Sequence, residues 1–300
     1  AGHHYLGYSY TCALLDNNHA KCWGFNNYGQ LGLGDTNDRG DSAGEMGDNL
    51  PGLNLGSGRT AKQIALGASH SCALLDNDSI KCWGKNDHGQ LGLDHTNDDI
   101  LQPTSTSINL GTGTKALQVA AGGAHTCAIL DDHSVKCWGD NGKGQLGLGN
   151  INSQGGFAGS MQALEKVNLG IGRTAKQLSL GQEHTCALLD NDTVKCWGLG
   201  SSGQLATGDN LNRGATQEKA VSTVAAINLG TGRYAQAIRS GAYHTCALLD
   251  TNEIKCWGKN DKGQLGLEDT ENRGATAETT VDKLKPVSLV HRALLWWSQL

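Results

Sequence analysis

A four-residue run ending in apolar residues, a three-residue polar break and a second strand-length run recur five times along this chain. In the first copy the runs are Cys12 to Leu15 and His19 to Cys22, separated by Asp16, Asn17 and Asn18, and Trp23-Gly24 closes the unit. The other copies begin at Cys72, Cys127, Cys186 and Cys246. Short strand-compatible runs around a three-residue break predict a hairpin whose loop is a type I turn followed by one left-handed residue. That last loop position holds Asn18, Asp78, His133, Asp192 and Asn252. These residue types tolerate positive φ best after glycine. The implied register sets Leu15 against His19, Leu14 against Ala20 and Cys12 against Cys22.

Two further strands are expected in each unit. One leads into the hairpin and ends at a glycine, as in residues 61–70. The other follows a glycine turn of the form N-x-x-G-Q-L-G and a long polar loop, as in Leu53–Gly56 and Ile108–Gly111. A period of about 60 residues, rich in glycine, with four short antiparallel strands per unit, signals a propeller blade that stacks on its neighbours. The expected architecture is all-β, a single β-propeller over 1–300 with five four-stranded blades, as a closed ring or as a fragment of a larger array. The repeats run approximately over 1–56, 57–111, 112–171, 172–231 and 232–290. The first keeps only a stub of its leading strand. The tail 291–300 stands where a sixth leading strand would be, and with Leu294, Leu295, Trp296 and Trp297 it is expected to pack as an edge strand that helps close the ring.

The cysteines sharpen this picture. All ten fall into directly opposed pairs: Cys12–Cys22, Cys72–Cys82, Cys127–Cys137, Cys186–Cys196 and Cys246–Cys256. Opposed strand residues bring Cβ atoms close to disulfide distance. Buried reduced thiols are the alternative reading, and zinc lacks its short Cys-x-x-Cys spacing. Disulfides place the chain in an oxidising compartment. A net charge of −5 supplies no basic field for nucleic acid or an anionic membrane. No apolar run approaches the ~20 residues of a membrane span. The chain starts at Ala1 without a signal peptide, which reads as a mature product, an expressed fragment or a partial gene model.

Candidate chemistry is sparse. Trp23, Trp83, Trp138, Trp197 and Trp257 are expected to fill the interfaces between blades. His70, His125, His184 and His244, with Tyr10 in the first copy, precede the first cysteine; one per blade, they stand too far apart to share a metal ion and are expected to fix a turn by hydrogen bonding. Arg39-Gly40-Asp41 is an adhesion-type tripeptide of high chance frequency. Its loop, 35–48, is acidic enough to suggest calcium but lacks the spacing of a calcium loop. No nucleophile elbow, H-E-x-x-H or phosphate loop occurs, so no catalytic residue, metal site or cofactor is expected. The loops 34–52, 94–107, 149–167, 208–227 and 268–286 vary while the framework does not, and such insertions gather on the face that binds. Asp38, Arg39, Asp41, Glu45, Arg213, Glu218 and Arg273 are the interaction candidates.

The long shared string, G-x-x-H-T-C-A-L-L-D-x-x-x-V-K-C-W-G-x-N-x-x-G-Q-L-G, resembles the repeat of the regulator of chromosome condensation family, whose members form β-propellers, commonly of seven blades. The cysteine pairs set this chain in a disulfide-bearing branch. Nucleotide exchange and chromatin binding, properties of the nuclear member, are not carried over. The resemblance and the loops together imply a non-enzymatic module, secreted, at the cell surface or in another oxidising compartment, that engages a protein partner through one loop face. The competing readings are a self-associating component of a coat or filament and, more remotely, a hydrolase with its site in the central channel.

Overall fold

Each repeat folds as a three-stranded antiparallel meander. The computed structural model describes residues 3–97 and 99–288. The first sheet comprises β1 (His3–Leu6), β2 (Tyr10–Leu14) and β3 (Ala20–Gly24). The second has β4 (Ala61–Leu66), β5 (His70–Leu75) and β6 (Ile80–Gly84), and the third β7 (Ala116–Ala121), β8 (His125–Leu130) and β9 (Val135–Gly139). The fourth has β10 (Ala175–Leu180), β11 (His184–Leu189) and β12 (Val194–Gly198), and the fifth β13 (Ala235–Ser240), β14 (His244–Leu249) and β15 (Ile254–Gly258).

Turn chemistry sets the hairpin register. Asn18, Asp78, His133, Asp192 and Asn252 all take φ between 61° and 66°. Cys12 pairs with Cys22 and Leu14 with Ala20, and the same register recurs in the other four hairpins. Every cysteine pair is disulfide-bonded, with Cα atoms 4.1 Å apart. The first leading strand is short, four residues against six in the other repeats, yet β1 pairs with β2 along its length, from His3↔Leu14 to Leu6↔Thr11.

Among the described residues the fourth strand expected in each blade does not form. The long loop instead meets the third strand at two points. One is an isolated bridge at its end, Gly24↔Arg39 in the first repeat and Gly198↔Arg213 in the fourth. The other is a single backbone bond near its start, such as Leu53 N to Ala20 O at 2.8 Å and Ile108 N to Ile80 O at 2.9 Å. Between these anchors lie turn-forming residues that cannot extend, Gly44 and Gly47 at positive φ among them. Asn54 then closes on the Gly56 amide at 3.1 Å, which ends any extended run.

The core lies between sheets. Each hydrophobic cluster draws on two consecutive repeats; Leu14 and Leu31 of the first, for example, pack with Ile64, Leu75 and Trp83 of the second. At every such junction the indole Nε1 of the later repeat donates to a glutamine carbonyl of the earlier one at 3.0 Å: Trp83 to Gln30, Trp138 to Gln90, Trp197 to Gln145 and Trp257 to Gln204. All four tryptophans are fully buried. A Cβ on Gly32 would lie 2.6 Å from Trp83 Nε1, so the glycine turn is the seat of the next repeat's indole. Lysine stems cross the same boundary: Lys81 Nζ reaches Leu55 O at 2.9 Å and Lys136 Nζ reaches Leu110 O at 3.0 Å. Gln63, Gln118 and Gln177 each accept from a backbone N–H of the following leading strand, on Val119, Leu178 and Ile238.

Among the described residues this interlock is absent between the fifth and first sheets. Trp23 is only partly buried, and its neighbour Gly24 touches Ser9 and Tyr10 of its own repeat, whereas Gly84, Gly139, Gly198 and Gly258 also abut the preceding glutamine. His244, Leu248 and Ile254 are partly exposed on the far side. The tail 291–300, expected to help close the ring, lies outside the described residues.

Replacing Trp138 with alanine is expected to cost about 3–5 kcal/mol, because a buried indole, its packing and its hydrogen bond vanish together. Trp23→Ala should cost much less. Urea unfolding of the two variants checks this, and equal losses would show that the first indole is as buried as the third.

Candidate functional site

The leading strands of all five repeats end at one central mouth. Gly7, Gly67, Gly122, Gly181 and Gly241 line a cavity of about 310 Å³, together with Tyr8, Leu66, Ala121, Leu180, Gln182, Ser240 and Ala242. Backbone bonds knit four successive turns around it: Ala68 N to Gly122 O at 3.2 Å, Gly123 N to Gly181 O at 3.2 Å, and Gln182 N to Ala242 O at 2.8 Å. A Cβ on Gly122 would fall 2.3 Å from His125 Cε1 and 2.5 Å from Gly181 O, so the imidazole packs against the strand end only because no side chain is there.

His70, His125, His184 and His244 pack directly behind Gly67, Gly122, Gly181 and Gly241. His70 Nε2 lies 2.9 Å from Thr126 Oγ1, His125 Nε2 2.9 Å from Thr185 Oγ1, and His184 Nε2 3.0 Å from Thr245 Oγ1. Thr126 and Thr185 give their own protons to the carbonyls of Gln90 and Gln145. Each of these hydroxyls must therefore accept from the imidazole, which assigns the proton to Nε2 of His70 and His125. The Nδ1 atoms of His70, His125 and His184 are buried with no partner. Burial disfavours the imidazolium and pulls the pKa of His70 to about 4 and those of His125 and His184 to about 3. In the first repeat Tyr10 replaces histidine; its hydroxyl reaches past the junction to His70 O at 2.6 Å, and the partner hydroxyl is Ser71.

The rim is aromatic. Tyr8 is 56% exposed. Burial of the rest of its ring, then Tyr243 and Glu183, push its phenol up to about 12. Lys259 Nζ lies 5.6 Å over the Tyr243 ring and Lys85 Nζ 5.1 Å over Tyr28, which meets Phe25 edge-on at 6.5 Å. The signal for Tyr8, Glu183 and Tyr243 is the pair of positions between the recurring Gly and His or Tyr, which read Tyr8-Ser9, Ala68-Ser69, Gly123-Ala124, Gln182-Glu183 and Ala242-Tyr243; Phe25, Tyr28, Lys85 and Lys259 lie outside it, after the Trp-Gly.

The loop candidates are placed differently. Arg39, Arg213 and Arg273 sit at the isolated bridges, and each guanidinium is tied to the aspartate four residues earlier, Asp35, Asp209 and Asp269, at 2.5–2.6 Å. They brace their own loops. Asp38 accepts from Asn26 N at 2.7 Å, and Glu45 accepts from Gly40 N at 2.8 Å, a bond that holds its carboxyl below the usual range. Asp41 and Glu218 are exposed. Among the described residues no group of three or more potential ligands could hold a metal ion. The adhesion-type tripeptide has a framework counterpart. Its equivalents in the fourth and fifth repeats press into the preceding glycine turn, where a Cβ on Gly144 would meet Ala215 N at 2.4 Å and one on Gly203 would meet Arg273 O at 2.3 Å.

Acid should destabilise the protein through these buried histidines. The unfolded chain binds protons near the ordinary histidine pKa of ~6.5, whereas the folded groups wait until about 4 and 3. Stability is therefore complete above that ordinary value and is lost as pH falls from it toward the folded values. Denaturation midpoints at about pH 7.5 and 4.5 should fall apart for the wild type and less so for His125→Gln. An unchanged pH slope in that variant would locate the acid sensitivity elsewhere.

The comparison with known proteins agrees with this geometry. An RCC1-like domain profile matches residues 3–294. The chain is 27% identical over 267 residues to the ultraviolet-B receptor UVR8 of Arabidopsis thaliana, across 89% of this chain and 55% of that protein. It is 32% identical over 208 residues to the probable E3 ubiquitin-protein ligase HERC4 of Homo sapiens, across 69% of this chain but 18% of the ligase. It thus spans about half or less of these curated relatives. Prp20p from Saccharomyces cerevisiae superposes with a TM-score of 0.69 at 20% identity, over 96% of this chain and 65% of that one, which is a likeness of fold. The chain belongs to the family of RCC1-like domain proteins.

Proposed function

We propose that this chain is a non-enzymatic binding module of an oxidising compartment, secreted or at the cell surface, that engages a protein partner through the face carrying the central mouth. The observation that carries this reading is the rim. Tyr8 lines the mouth, Tyr243 acts on its phenol, and Phe25 and Tyr28 follow the strand end bonded to Ser9, with Lys85 and Lys259 over two of the rings. Rigid aromatic side chains with a polar tip are what protein interfaces favour. The exposed loop residues Asp41 and Glu218 extend the surface on which a partner would rest.

The polar side chains lining the mouth, Tyr8, Gln182 and Ser240, make no nucleophile–base pair, and Ser240 Oγ is engaged by Ser179 O and Thr245, which supports the non-enzymatic reading. One protein of the same fold points the same way: Prp20p, yeast RCC1, is described with binding to Gsp1p and histones and, in a second structure, with Kap60 bound. Five disulfides favour an oxidising compartment, and the acidic balance disfavours nucleic acid. The double variant Tyr8→Ala/Tyr243→Ala should weaken capture of the partner by at least tenfold, at roughly 1–2 kcal/mol per ring. Ile171→Ala, at the opposite end of the sheets, should leave capture unchanged. Equal binding by both variants would move the site off the mouth.

A second reading, self-association, is favoured by the open junction. The fifth sheet offers His244 and the Gly263 turn, and the first offers Thr11 and Trp23; His–Thr pairs interlock at three of the other junctions and a tryptophan meets the preceding turn at all four. Such an interface is head-to-tail. Light scattering over a range of concentrations is expected to show growing mass on this reading, and a constant monomer mass rejects it.

A further inference from the structure

We propose that Asn77 and Asn191 are acceptors for N-linked glycan. Both open an Asn-x-Ser/Thr triplet, Asn77-Asp78-Ser79 and Asn191-Asp192-Thr193, and no other asparagine in the chain does. The two triplets occupy the same place, the hairpin tips of the second and fourth repeats, at the end of the sheets away from the mouth. Both asparagines are exposed. Ser79 Oγ donates to Asn77 Oδ1 at 2.8 Å, and Thr193 Oγ1 donates to Asn191 Oδ1 at 2.8 Å. The hydroxyl thus holds the amide by its oxygen and leaves Nδ2, the atom to be modified, without a hydrogen bond among the described residues. The middle carboxylates are drawn aside, Asp78 by Lys62 and Asp192 by Lys176.

The other hairpins serve as internal controls. Asn17 stands at the equivalent tip and accepts from His19 N at 3.1 Å, so it shares the turn, but histidine supplies no hydroxyl. Asp132 and Thr251 replace the asparagine in the third and fifth repeats. Recognition therefore turns on the hydroxyl that tips 77 and 191 carry and tip 17 lacks.

The co-reactant is an oligosaccharide linked through diphosphate to a lipid. The Asn Nδ2–C1 bond forms and the C1–O bond to the diphosphate breaks. The electron pair leaves with the lipid diphosphate, and one amide proton is released. A glycan on these tips extends away from the mouth and leaves the proposed partner face clear.

The proposal rests on passage through a secretory compartment, and the test separates the two. The full chain is secreted from a glycosylating eukaryotic host, its disulfides are mapped without reduction, and peptides are analysed before and after PNGase F. The expected result is glycan at 77 and 191 and none at 17, with aspartate in place of each modified asparagine after enzyme treatment. Asn77→Gln and Ser79→Ala should each abolish the first glycan and leave the second, and Thr193→Ala the reverse. Intact disulfides with unmodified Asn77 and Asn191 in the wild-type chain would overturn the glycan proposal alone, whereas reduced cysteines would overturn the compartment reading.

Discussion

Stability in this fold depends on the seam between consecutive sheets. A three-stranded sheet of five- or six-residue strands buries little by itself; here its inner residues become core only when the next repeat's indole enters the glycine turn and meets the glutamine carbonyl. Strength is then a sum over nearest-neighbour seams. The disulfides act inside each sheet and do not cross a seam, so they stiffen the unit that docks without supplying the docking energy.

The same seam explains why the candidate site is where it is. Glycine at the end of each leading strand admits the imidazole, the imidazole reaches the next repeat's hydroxyl, and the hydroxyl closes on the glutamine carbonyl that also receives the indole. Everything between Gly and His is fixed at both ends except the two turn residues. Those two positions are free to differ from repeat to repeat, and they carry Tyr8, Gln182, Glu183 and Tyr243 to the mouth.

Much of this was legible in the chain. The hairpin register followed from a three-residue loop ending in Asn, Asp or His, and the cystine pairs followed from the register. The tryptophans read as interface residues because the Cys-Trp-Gly strand lies inside the repeat, and Trp83, Trp138, Trp197 and Trp257 are buried at the seams, whereas Trp23 is only partly buried. The fourth strand was misread because Leu53–Gly56 and its equivalents have strand composition, yet the asparagine side chain closes a turn on the glycine and leaves a single anchoring bond. Arg39, Arg213 and Arg273 looked like presented charges; their aspartate partners four residues earlier were visible, but the bridge that bends the loop back onto itself was not. The rim escaped notice because its residues share no motif and become neighbours only once five turns converge.

Tyr10 and Ser71 carry one more consequence. Identical seams would let any repeat dock behind any other, a hazard for a chain whose units resemble one another so closely. At the first seam both partners change together: the phenol is longer than an imidazole, and the hydroxyl opposite it belongs to serine rather than threonine, while the phenol also takes the carbonyl of His70. This pair acts as an address. It marks the second repeat as the one that belongs behind the first, whereas the three later seams share one His–Thr pair and leave the order of their units to the connecting chain.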